Sequence, residues 1–66
     1  MLLVAERDGE AIELGQFGFE DASQFIFERD EVAHAEGEVW LEGYDLVLYD
    51  ANLERYVFEG DMWVQI

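Results

Sequence analysis

The chain has 66 residues, of which 17 are Asp or Glu against three Arg and no Lys, for a formal net charge of −14. Hydrophobic residues make up 52% and aromatics 15%, and neither Pro nor Cys occurs. Such a chain can bury a core, which excludes a disordered acidic tail, and it carries neither a disulfide framework nor a thiolate metal site.

In chain order, residues 2–7 and 10–17 read as strands joined by Asp8-Gly9, a strong two-residue hairpin signal. Residues 20–36 read as one helix, or two short ones, because Ala22, Phe25, Ile26, Arg29, Val32 and Ala33 fall at helical spacing. Asp21 with Gln24 has the pattern of a capping box, and Gly37 stands just past the end as a stop. Arg29 and His34 lie in the C-terminal half, where positive charge suits the helix dipole. The compact run Phe25-Ile26-Phe27 offers a competing strand over residues 23–28. Further strands are expected at 38–42, 44–50, 54–59 and 62–66, divided by Glu42-Gly43, Ala51-Asn52 and a type II′ turn at Gly60-Asp61. The expectation is one α+β domain over residues 1–66, an antiparallel meander of about five or six short strands with the helix packed on one face.

Strand alternation divides the side chains between two faces. Ile12, Leu14, Val39, Leu41, Leu46, Leu48, Tyr56, Phe58, Met62, Val64 and Ile66 are expected toward the helix. The outer face is expected to carry Glu13, Glu38, Trp40, Glu42, Asp45, Val47, Tyr49, Arg55, Glu59 and Trp63. From this set Glu13, Glu38, Trp40, Glu42, Asp45, Tyr49, Glu59 and Trp63 form the candidate partner-binding surface. Aromatics dominate binding hot spots, while carboxylates steer a basic partner and fix register. The competing reading is that Trp40 and Trp63 are partly buried and the carboxylates only solvate the sheet.

Other chemistries find little support. Ser23 and His34, the only serine and the only histidine, sit about three helical turns apart and cannot form a nucleophile–base pair. Among 17 carboxylates some pair will always be close, so proximity alone carries no message. No calcium-loop pattern occurs in the clusters Glu20-Asp21 and Glu28-Arg29-Asp30-Glu31, and a lone His cannot build a zinc site. The chain is therefore expected to be neither an enzyme nor a holder of a metal or cofactor. It has no basic footprint for direct nucleic-acid binding. No apolar run approaches a membrane span, and residues 1–5 lack the basic region of a signal peptide. A small chain without staples points to the cytoplasm, and monomer is expected over homodimer.

Charge density supplies the functional lead. Duplex DNA carries about one charge per 1.7 Å of axis, so this net charge matches roughly 24 Å of duplex on a body about 28 Å across. Small size, strong acidity, absence of Cys and an α+β meander resemble phage-encoded inhibitors of bacterial defence, especially the anti-CRISPR proteins. The resemblance covers the whole chain in character and rests on no motif, so no residue role carries across. It implies a stoichiometric inhibitor whose carboxylates stand in for phosphates on a basic nucleic-acid-binding protein, such as a DNA-receiving subunit of a type I CRISPR effector. The other expectation is a small acidic adaptor or assembly module, from a toxin–antitoxin system or a phage structural complex, binding through exposed aromatics.

Overall fold

Hairpin chemistry starts the fold, and a computed structural model describes all residues, 1–66. Strands β1 (Leu2–Arg7) and β2 (Glu10–Gln16) pair across Asp8-Gly9, with Gly9 at φ +72, a left-handed conformation that glycine adopts without penalty. Helix α1 (Phe19–Ala35) then crosses one face of the sheet. Strands β3 (Asp45–Tyr49), β4 (Arg55–Glu59) and β5 (Met62–Gln65) follow as a meander. All pairings are antiparallel, in the order β2-β1-β3-β4-β5, so the fold is α+β with five strands in one sheet.

The 38–42 strand does not form. Gly37, Leu41 and Gly43 stand at φ +75, +49 and +84, and no pleated strand accommodates left-handed residues at that frequency. The connector 36–44 instead turns back on itself, with the Tyr44 N–H donating to the Leu41 carbonyl at 3.1 Å. Residues 23–28 are helical, not strand. The expected capping box is absent too. The N-cap is Gly18 without a side-chain bond, which leaves Asp21 and Gln24 inside the helix. Tertiary contacts set this earlier start: the Phe19 ring meets Tyr56 edge-on at 5.1 Å, and its carbonyl accepts the Trp63 indole N–H at 3.1 Å. At the other end Gly37 N–H donates to His34 O and Glu38 N–H to Ala33 O, a Schellman closure with the stop glycine where expected. The β4–β5 turn has both Gly60 and Asp61 at positive φ, +53 and +64, the type I′ pattern and not type II′.

Eight residues are buried, all hydrophobic, and three of them are alanines. Ala22, Ile26 and Ala33 form one stripe of α1, and the two alanines let the helix approach the sheet closely. Leu3, Ala22 and Leu48 join the two layers, with Leu14, Phe17, Phe25, Tyr56 and Trp63 packed around them. The hairpin register pairs Phe58 with Trp63, and their rings lie 4.8 Å apart. Trp63 therefore faces the helix, and Met62 and Val64 turn to the opposite side, the reverse of the expectation for this strand. Val39 and Leu41, with no strand to carry them, belong to neither face of the sheet.

Candidate functional site

Leu3 touches the helix layer, so Val4, its neighbour in β1, lies on the open face of the sheet, and register carries that face across all five strands. Glu13, Val4, Val47, Val57 and Val64 form a single row. Asp45, Tyr49 and Glu59 fall on the same face by alternation, so four of the eight candidate residues come together there. The other four do not. Trp63 lies in the helix–sheet layer, its indole N–H donating to Ser23 Oγ at 2.9 Å. Trp40 packs edge-on against Phe25 at 5.8 Å, and Glu38 and Glu42 are exposed on the connector beside it.

No element covers the open face, yet Val47 is fully buried and Val4 is 5% exposed. Their cover comes from the face itself. The Tyr49 hydroxyl donates to a Glu6 carboxylate oxygen, Arg55 donates to the other Glu6 oxygen at 2.9 Å, and Arg55 Nε reaches the Tyr49 hydroxyl at 3.3 Å. Tyr49 and Arg55 stand on the Leu2 row and Glu6 on the Asp45 row, so these bonds span the valine row between them. Donation by Tyr49, aided by the Arg55 guanidinium and opposed by partial burial, holds the Glu6 carboxyl below its usual range. The same carboxylate raises the Tyr49 phenol and the Arg55 guanidinium. Glu6 was not legible as a site residue. Its only signal is the register that sets a long phenol and a guanidinium diagonal to it.

A second network ties the connector to the hairpin. The Tyr44 hydroxyl donates to Glu10 at 2.7 Å, Arg7 pairs with Glu10 at 3.4 Å, and the Arg7 guanidinium stacks 4.3 Å over the Tyr44 ring. Tyr44, then Arg7, lower the Glu10 carboxyl, and Glu10 raises the Tyr44 phenol. In the β3–β4 turn, backbone N–H donation from Glu54 leads the causes that lower Asp50.

Aromatics and acids do meet, on the helix side. A groove between α1 and β5 is lined by Phe19, Phe27 and Trp63 together with Glu20, Glu28 and Glu31. A second depression shares Phe27 and Glu31 and continues past His34 to Glu38, Val39 and Trp40. Phe27 links the two and is 47% exposed. The third arginine, Arg29, lies 5.5 Å from the Phe25 ring and lines neither depression. In the sequence Phe27 figures only in the competing 23–28 strand, because the helical stripe takes its neighbours Phe25 and Ile26 and leaves Phe27 off it.

Only Glu6 and Glu10 are paired with a guanidinium, so fifteen of the 17 carboxylates have no cationic partner, and no charged residue is buried. No three acidic or histidine side chains converge closely enough to hold a metal ion. No helix is long and apolar enough to cross a membrane. Comparisons with protein-family models, curated proteins and solved structures found no match to this chain.

Proposed function

We propose that this protein is a stoichiometric inhibitor that covers a basic nucleic-acid-binding surface of a host defence complex, in the manner of the anti-CRISPR proteins it resembles. The observation that carries the reading is the outward, largely uncompensated negative charge on a packed fold. The longest dimension is 37 Å, so −14 charges run at about one per 2.6 Å, against about one per 1.7 Å of duplex DNA. That is roughly two-thirds of the polymer's density, enough to compete for Lys and Arg clusters. The carboxylates of α1 are the ones best set for this work. Glu20, Glu28 and Glu31 span about 16 Å of helix, and exposed Phe27 and Val39 add apolar anchoring that a phosphate chain lacks.

The test is capture of partners from bacterial lysate on tagged protein, elution by a salt gradient, and competition with duplex DNA. A basic nucleic-acid-binding protein released by moderate salt and displaced by DNA is the expected result. Reversal of Glu28 and Glu31 to Lys slows association with that partner more than it speeds dissociation. An unchanged association rate would refute this placement of the surface. The exposed Phe27, Met62 and Ile66 favour one other reading, an adaptor held by apolar contact. Its partner would have no basic groove and would stay bound at high salt.

A further inference from the structure

The free edge of β5 has the features of a docking site for another strand. Glu59 and Met62 close a two-residue turn, and the Ile66 N–H donates to the Arg55 carbonyl at 3.1 Å. Antiparallel pairing alternates, so Met62, Val64 and Ile66 turn their backbone groups toward β4, and Trp63 and Gln65 turn theirs outward. Those outward N–H and C=O groups have no partner strand, because β5 ends the sheet. The edge itself carries little of the usual protection: β5 has no Lys, no Pro and no bulge, and is blunted only by being short. The opposite edge, β2, pairs with β1 through a bulge between Leu3 and Val4.

Both flanks of this edge are suited to alternating side chains. On the helix side Phe27 and Trp63 line a groove that also carries Glu20, Glu28 and Glu31, and no arginine lines it. On the open side Val64 ends the valine row with 43% of its surface exposed, between Met62 at 67% and Ile66 at 74%. We infer that β5 accepts an extended segment of a partner protein in which basic and apolar residues alternate. Its Lys and Arg stems lie along Phe27 and Trp63 with their heads on the α1 carboxylates. Its apolar residues lengthen the valine row by one strand, and its backbone completes the ladder at Trp63 and Gln65. A second copy of this chain is disfavoured as the occupant, because pairing two bodies of −14 brings like charges together along the whole edge.

The inference rests on the partner being basic, as proposed above, and adds how it is held. The probe is the peptide acetyl-Lys-Val-Arg-Val-Lys-Val-Arg-amide, titrated into the isotope-labelled protein and followed by amide resonances and their hydrogen exchange. The expected result is a shift and slowed exchange at Trp63 and Gln65. Methylating the peptide's ladder-forming backbone nitrogens keeps every charge and weakens binding about ten-fold or more. Gln65→Pro removes an outward N–H while sparing the β4–β5 ladder, and it weakens the unmodified peptide similarly. Equal binding of the methylated peptide, or shifts confined to α1, would overturn strand addition and leave simple charge attraction. A dimer at high salt whose protected amides are those of β5 would make a second copy the occupant and overturn it too. An unbound peptide alongside a captured basic protein refutes the strand addition alone. A bound peptide with no basic protein captured refutes the inhibitor reading alone.

Discussion

Replacing Tyr49 separates the two things its side chain does on the open face. Tyr49→Phe keeps the ring over the valine row and removes the hydroxyl that bonds Glu6 and Arg55. Hydrogen bonds to charged groups contribute about 1.5–3 kcal/mol, and a half-exposed setting puts this loss at the low end, about 1.5 kcal/mol. Tyr49→Ala also strips the ring from Val4 and Val47. Truncating a fully buried aromatic costs about 3–5 kcal/mol, so a half-buried one brings the total loss to about 3 kcal/mol. Sixty-six residues support only about 3–10 kcal/mol of stability, so the alanine variant stands close to unfolding. Urea titration followed by the fluorescence of Trp40 and Trp63 reads both. With a slope near 1 kcal/mol per molar, the midpoint falls by about 1.5 M for Phe and about 3 M for Ala. Equal midpoints for the two variants would refute the argument that the ring covers the valines.

Three further outcomes follow from the same geometry. Glu6, Glu10 and Asp50 are held below their ordinary range, so their stabilisation is complete above about pH 4.5 and is lost as pH falls through their lower folded values. Urea midpoints therefore drop on acidification, and Glu6→Gln flattens the drop; a parallel curve for that variant would remove Glu6 from the account. Tyr44 and Tyr49 are raised by their carboxylate acceptors, and Tyr56 is raised first by desolvation and then by Asp50. Tyrosinate absorbance in the folded protein thus begins above the ordinary value near 10, and the stability these phenols add is lost as pH rises through their folded values. Leu53 is 77% exposed at φ +61. Leu53→Gly removes a left-handed penalty of about 1–2 kcal/mol, gives back part of it as unfolded-state entropy, and raises stability by about 0.5 kcal/mol in the same assay.

The local signals in this chain were legible, and the errors arose where a distant contact decided. Asp8-Gly9, Gly37 and the β-rich run around Leu46–Leu48 all act through their own backbone, and each element formed where expected. The first turn of α1 did not follow Asp21, because Phe19 is fixed by Trp63 and Tyr56, some forty residues away. In β5, alternation by hydropathy turned Met62, Val64 and Ile66 inward. The turn carried the opposite answer: two residues between Glu59 and Met62 oblige Phe58 and Trp63 to share a face. With Phe58 inward, Trp63 had to follow, and its indole N–H found Ser23. Of the residues expected to share the open face, Glu13, Asp45, Tyr49 and Glu59 stand there, whereas Trp40 packs against Phe25 and Trp63 against α1, both on the helix side.

The position of β1 also governs the order of assembly. The strand made first lies second in the sheet, between its hairpin partner β2 and β3, and its Glu6 must find Tyr49 across 43 residues. A hairpin closes in about 1–10 μs, whereas pairings of such separation wait for loop closure. Until β3 arrives, Leu3, Val4 and Ala5 stand on an open strand edge, an apolar template for pairing with another copy. Strong like charge on every copy keeps those edges apart during that interval. The net charge thus acts on the unfinished chain as well as on the folded surface, by mutual repulsion between copies.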